Sequence, residues 1–134
     1  GIEFEASYES PYVFTRAAYT AIRGENKEDD TDLNSIPADE LVLTLGGRIP
    51  EYNGYFGWRG VMAAGQDNVS GTMPPTSGYM VHNLFASWKP DEGVFQDFEF
   101  RFGVENLLDR NYREHLSGDN AVGRTFRITF ARQF

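Results

Sequence analysis

The chain has 134 residues, no cysteine, and 20 acidic against 12 basic side chains, for a formal charge of -8. The missing cysteines exclude disulfides, thiolate-held zinc or iron–sulfur centres and thiol catalysis. The acidic balance argues against nucleic-acid binding, which leaves a basic footprint. Aromatic residues reach 15%, yet the longest wholly apolar run is Val61-Met62-Ala63-Ala64. A membrane helix needs about 18 apolar residues in succession, so the pattern points instead to strands whose apolar residues are diluted by alternation. Gly1 opens directly into such a pattern, and no signal peptide is expected.

The first expected strand alternates Ile2, Phe4, Ala6 and Tyr8 with Glu3, Glu5 and Ser7. The second opposes Val13, Thr15, Ala17, Tyr19 and Ala21 to Phe14, Arg16, Ala18, Thr20 and Ile22, a split decided mainly by Arg16. The third sets Leu41, Leu43, Leu45 and Ile49 against Val42, Thr44, Gly46 and Arg48. The fourth sets Phe56, Trp58, Met62 and Ala64 against Gly57, Arg59, Val61 and Ala63. In the fifth, residues 79–88, Met80, Leu84, Ala86 and Trp88 are assigned to the apolar face and Asn83 and Ser87 to the other, which leaves His82 among apolar neighbours. The sixth is the clearest: Phe98, Phe100, Phe102 and Val104 against Glu99, Arg101, Gly103 and Glu105. The seventh places Phe126, Ile128, Phe130 and Phe134 opposite Thr125, Arg127, Thr129, Ala131 and Gln133. Arg132 is its exception, close enough to the chain end for a long side chain to reach an interface. Only period 2 separates residues this way; a helix cannot.

The connections alternate in length. Segments 10–12, 50–54 and 89–96 are short or medium, whereas 24–38, 67–77 and 107–122 are long. Antiparallel succession then puts every long segment at one end, as in outer-membrane barrels with short periplasmic turns and longer extracellular loops. Strands of about 9 to 12 residues also suit a tilted bilayer crossing. The second face carries Glu3, Glu5, Arg16, Arg48, Arg59, Glu99, Arg101, Glu105 and Arg127. Burying these in a small soluble barrel would cost several kcal/mol each, a cost that largely disappears if that face lines a wet or plugged lumen. The expected fold is therefore all-β: an antiparallel up-and-down transmembrane β-barrel, present here as about seven strands. Seven is odd and too few to close, so the chain reads as the end of a larger barrel, cut at Gly1.

The ending Gly123-Arg124-Thr125-Phe126-Arg127-Ile128-Thr129-Phe130-Ala131-Arg132-Gln133-Phe134 resembles the terminal strand of outer-membrane barrels. Upstream, Gly103-Val104-Glu105-Asn106-Leu107-Leu108-Asp109-Arg110-Asn111-Tyr112 resembles the G-V-x-N-L-x-D-x-x-Y segment of TonB-dependent receptors. Gly1-Ile2-Glu3-Phe4-Glu5-Ala6, Ile36-Pro37 before Leu41-Val42-Leu43-Thr44-Leu45-Gly46, and Gly78-Tyr79 leading to Asn83-Leu84-Phe85-Ala86-Ser87-Trp88 follow in the expected order. The resemblance implies the C-terminal part of a barrel of about 22 strands, closed by an N-terminal plug that lies outside this chain. It implies an outer-membrane importer of haem, a ferric siderophore or another scarce nutrient, energised through the TonB complex. The Ile36-Pro37 segment and the Gly-Arg-Thr-Phe ending are most similar to the haem, haemoglobin and hemophore branch. The resemblance also gives Phe126, Ile128, Phe130 and Phe134 a role as the signal read by the barrel-assembly machinery. Outer-membrane lipid is the remaining implied partner. No resident cofactor and no metal are expected.

His115, in the last long segment, is the candidate haem ligand, since an imidazole nitrogen can face iron; a solvated loop histidine is the preferred reading. His82, on a strand, is further from such a role. Glu25, Glu28, Asp29, Asp30 and Asp32 form an acidic cluster without the spacing of a calcium loop, so a solvated face is preferred. Asn68-Val69-Ser70 matches a glycosylation site only formally. No G-x-S-x-G elbow occurs, and Ser117-Gly118-Asp119 beside His115 reads as loop composition. Convergence of Glu3, Glu5, Glu99 and Glu105 as a glycosidase pair is left open by the sequence, with regular lumen-face alternation preferred. An enzyme is not expected. The competing function class is a soluble β-sandwich or barrel that binds a small ligand, separable by whether the protein needs detergent.

Overall fold

The computed structural model describes residues 1–26, 31–32, 36–67, 69 and 74–132. Strand-forming alternation gives β1 (Ile2–Glu9), β2 (Val13–Ala21), β3 (Glu25–Asn26), β4 (Thr31–Asp32), β5 (Glu40–Ile49), β6 (Gly54–Ala63), β7 (Tyr79–Trp88), β8 (Phe98–Glu105) and β9 (Thr125–Arg132). Seven of these form one antiparallel meander in the order β1-β2-β5-β6-β7-β8-β9. The strands of β3-β4 pair separately as a small hairpin within the first long segment, an element that the sequence reading treated as loop. Two single 3-10 turns, Pro50–Tyr52 and Gly93–Phe95, sit in the short connections. Asn53 closes the first with a left-handed φ of 49°, a conformation that asparagine tolerates better than most residues.

Register confirms the two faces, because directly opposed residues of an antiparallel pair share a face. Phe4 opposes Tyr19, Leu45 opposes Trp58, Met62 opposes Met80, and Phe102 opposes Ile128. Arg16 opposes Thr44, Arg59 opposes Asn83, and Ser87 opposes Arg101 on the other face. Among the described residues, few apolar side chains are buried: Ala21 and Val81 in the strands and Pro90 in a short connection. Phe4, Leu45, Phe56, Phe102, Phe126, Ile128 and Phe130 are all exposed. The strands are thus held by ladder hydrogen bonds and cross-strand side-chain pairs, while the apolar face awaits a partner.

Two local devices make this sheet regular. On the apolar face, His82 opposes Gly60. A Cβ at Gly60 would meet the Trp58 ring at 2.5 Å, so the glycine leaves room for the indole. Trp58 Nε1–H then donates to His82 Nδ1 at 3.1 Å. The histidine that looked misplaced therefore has a polar partner on its own face. On the polar face, the Phe14 ring lies over Gly46, where a Cβ would come within 2.0 Å of it. Phe14, Tyr55 and Phe85 cluster there with centroids 6.3–6.4 Å apart.

The remaining polar face is laced with ion pairs. Arg16 and Arg48 both meet Glu9, at 2.9 and 3.0 Å. Arg101 meets Glu99 at 2.6 Å and Arg127 meets Glu105 at 3.0 Å. Exposed pairs of this kind add little stability in water; their consequence is a face that stays wet. The Arg132 guanidinium, on the apolar face, lies 5.3 Å from the Phe98 ring centroid.

Candidate functional site: the cleft under the last long segment

The segment after β8 folds back over the polar face rather than extending away. Asn106 organises it. The residue is 3% exposed and has a φ of 50°, in the left-handed region that asparagine enters more easily than most residues. Its backbone N–H donates to Asn83 Oδ1 at 2.9 Å. Its side-chain Nδ2 donates to the carbonyls of Arg110 (2.8 Å) and Val122 (3.3 Å), and its Oδ1 accepts from the Arg110 N–H at 2.8 Å. Asp109, also left-handed at φ 52°, accepts the Arg124 N–H at 2.8 Å. Asn106 and Asp109 thus tie both ends of the segment to one point, and the Leu107 N–H donates to the His82 carbonyl at 2.7 Å.

Further along, the Tyr112 ring lies 4.4 Å from that of Tyr79 on the polar face. Burial and the neighbouring Glu114 and Glu105 carboxylates push the Tyr112 phenol above its usual pKa. It therefore stays a neutral hydrogen-bonding group at neutral pH. Arg113 reaches the Pro75 carbonyl at 3.3 Å, and His115 Nδ1 shares a hydrogen bond of 3.1 Å with Thr76 Oγ1. Thr76 is buried and pairs with Gln66 across the second long segment. The candidate ligand His115 is therefore part of a brace joining two long segments.

Between this segment and the sheet lies a cavity of about 660 Å³ lined by Glu40, Arg59, Tyr79, Asn83, Glu105, Tyr112 and Glu114 among others. It offers carboxylates, a guanidinium, phenols and an amide over an apolar floor of Val61 and Val81. That composition can hold a ligand by hydrogen bonding and contact, the usual make-up of a binding cleft. Outside the strands, Arg23 grips Asp39, just before β5, through two hydrogen bonds, one of them 2.6 Å. The guanidinium holds the Asp39 carboxyl below the usual carboxylate range.

The sequence candidates fare differently. Glu3 and Glu5 lie on β1, whereas Glu99 and Glu105 lie on β8 and are engaged by Arg101 and Arg127. Five strand spacings of roughly 4.8 Å separate the two groups, so they do not converge as a catalytic pair. Ser117 Oγ donates to the Asp119 carbonyl at 3.0 Å, and His115 is directed to Thr76; the three do not form a nucleophilic relay. Among the described residues, no group of three His, Asp or Glu is arranged to hold a metal. Glu28, Asp29 and Asp30 of the acidic cluster lie outside the described residues, as do Asn68, Ser70 and Phe134. Phe126, Ile128 and Phe130 all stand exposed on the apolar face of β9. The organising role of Asn106 escaped the sequence reading, which quoted it only within a motif. The available signal was an Asn-x-x-Asp placed where a strand ends.

A family model described as the β-barrel of TonB dependent receptor-like proteins matches residues 1–107. The chain belongs to the TonB-dependent receptor β-barrel family. TonB-dependent heme receptor A of Haemophilus ducreyi is 32% identical across the whole chain, which spans 20% of that relative. The protein of the same name from Haemophilus influenzae strain 86-028NP is 30% identical with the same coverage. Heme transporter BhuA of Brucella abortus is 29% identical, with the whole chain spanning 23% of it. Among solved structures, the copper transporter OprC superposes with a TM-score of 0.83 at 25% identity, over 96% of this chain and 22% of that one. The FrpB iron transporter of Neisseria meningitidis, F3-3 variant, superposes at 0.74 and 20% identity with the same coverage, a likeness of fold. The chain therefore spans about a fifth of the length of the relatives that it matches. TonB-dependent receptor barrels are transport proteins of the outer membrane of Gram-negative bacteria, and as a family they are not enzymes. The family match also removes the soluble sandwich or barrel as an alternative.

Proposed function

We propose that this chain supplies the last strands of the barrel of an outer-membrane importer that takes up an iron-containing ligand, haem in first place, with TonB-coupled energy. The observation that carries this reading is the match, along the whole of this chain, to about a fifth of several relatives named as heme receptors or a heme transporter. In it, the apolar face meets outer-membrane lipid and the polar face lines a lumen, closed elsewhere by the plug of a barrel of about 22 strands. Lipid accounts for the exposed Phe102, Phe126, Ile128 and Phe130, which would otherwise face water. The long-segment end is then extracellular, and the cleft beneath residues 106–124 faces incoming ligand. A hemophore or a ferric siderophore is the alternative cargo.

The assembly role belongs to the same reading. Phe126, Ile128 and Phe130, exposed on the apolar face of β9, would act with Phe134 as the signal offered to the barrel-assembly machinery. His115 has the chemistry of an iron ligand, but its bond to Thr76 supports a bracing role. The test is nutritional. A Gram-negative host lacking its own haem and siderophore receptors, starved of other iron, is given the complete receptor. Growth on haem as the sole iron source, lost when the energy-coupling segment is removed, is the expected result. Growth on a ferric siderophore but not on haem would move the assignment to the second cargo, and growth on neither would refute the iron reading. His115→Ala should leave the haem absorption band of the loaded receptor unchanged if the histidine only braces the loops.

A further inference from the structure

Beyond that reading, though resting on its assignment of the apolar face to lipid, we propose that the Val94–Phe95 turn is a membrane anchor. It inserts into the interfacial layer of the leaflet at the short-turn end and continues the apolar belt past the end of β8.

The connection 89–97 is the longest at that end, against 10–12 and 50–53. It carries Val94, 89% exposed, and Phe95, 50% exposed, at its tip. Gly93, with φ 82°, permits the bend that presents them. The direction of the bend is fixed by ring contacts. Phe95 lies 6.0 Å from Phe98 and 5.7 Å from Phe100, edge-on to both. Phe100 in turn stacks on Trp88 at 5.3 Å and meets Phe130 at 5.5 Å. Phe95 is thus the next ring of the apolar-face row, and the tip of the turn leans to that side, while Pro90, Asp91 and Gln96 border the polar face beside Ser87 and Glu99.

The surroundings mark the level as interfacial. Trp88 is the kind of amphipathic ring that settles at headgroup depth. The Arg132 guanidinium over Phe98 is a cation whose stem lies in apolar surroundings while its head reaches water. Strand length gives an independent reason. From Phe98 to Val104 the apolar run of β8 has six residue steps, about 20 Å along the strand and about 15 Å along the barrel axis at a tilt of ~40°. An outer-membrane belt is about 25 Å tall. Further apolar groups are needed beyond the strand, and Val94–Phe95 supplies them at this end. The flanks, Asp91, Glu92 and Asp97, disfavour strongly anionic headgroups, so the surface recognised is a zwitterionic one.

The test uses the complete receptor refolded into phosphatidylcholine vesicles, with a single polarity-sensitive fluorophore at Val94→Cys. The site is exposed, so the label does not disturb packing. Blue-shifted emission, quenching by lipids brominated near the headgroup end of the chain, and protection from iodide are expected. Ile128→Cys in mid-belt and Glu51→Cys in the neighbouring turn serve as lipid and water references. A water-like probe at position 94 beside a lipid-quenched probe at 128 would overturn the anchor alone. Water-like emission at both would overturn the assignment of the apolar face to lipid. Protection of position 94 in native membranes but not in pure lipid vesicles would assign the turn to a protein partner and refute the anchor.

Discussion

Asn106→Ala should release the last long segment while leaving the sheet intact. The substitution removes three side-chain hydrogen bonds, to the Arg110 and Val122 carbonyls and from the Arg110 N–H. Each is worth about 1 kcal/mol net. Alanine at a φ of 50° adds about 1 kcal/mol of backbone strain relative to asparagine. Part of this total of about 4 kcal/mol is recovered when water reaches the freed groups, leaving about 3 kcal/mol, or roughly a 100-fold rise in local opening. Amide hydrogen exchange reads it directly, since the Arg110 N–H is one of the donors. Exchange there should accelerate by about two orders of magnitude, while amides of β5 and β6 keep their rates. Asn106→Gly relieves the strain but not the lost bonds, so it should recover only about 1 kcal/mol. Unchanged exchange at Arg110 in the alanine variant would show that the buried asparagine does not hold the segment.

Gly46→Ala should lower the thermal stability of the folded barrel, because the new Cβ meets the Phe14 ring at 2.0 Å. In a Phe14→Ala background the same change should be nearly neutral, read as heat-modifiable mobility in detergent gels. Gly57→Ala should not be rescued by trimming Phe85, since its Cβ also meets the Leu45 carbonyl at 2.7 Å. For the Arg23–Asp39 tie, the carboxyl pKa is lowered by its partner, so its stabilising effect is present above the ordinary carboxylate range and lost as pH falls through the lowered value. Amides flanking Asp39 should therefore exchange faster in that acid window, and Arg23→Gln should remove the pH step; a step that survives in the variant would point to another group. Deleting Phe134 from the complete receptor should reduce the amount assembled in the membrane and leave ligand affinity of the assembled fraction almost unchanged. Normal assembly with lost affinity would reverse the assignment of the two ends.

The two faces, the strand count of the main sheet and the alternation of short and long connections were legible in the residues alone, because period 2 is a property of every extended chain. Glu99 and Phe100 cannot share a face in any register of a regular strand. The ordered motif segments carried the family in the same way, from Gly1 to the final aromatic row. His82 shows where pattern reading stops. Its place on the apolar face followed from parity, but its partner, Trp58, is 24 residues away and meets it only because β6 and β7 pair in this register. The same holds for the cleft. Asn83, Asn106, Arg110 and Val122 form one hydrogen-bonded knot from three separated stretches, and nothing local in any of them names the others. His115 could be singled out as an imidazole in a loop, whereas its bond to the buried Thr76 depends on how two long segments pack together. Alternation is decided residue by residue along the backbone; the contacts of loops are decided by which strands become neighbours, and only the folded sheet supplies that.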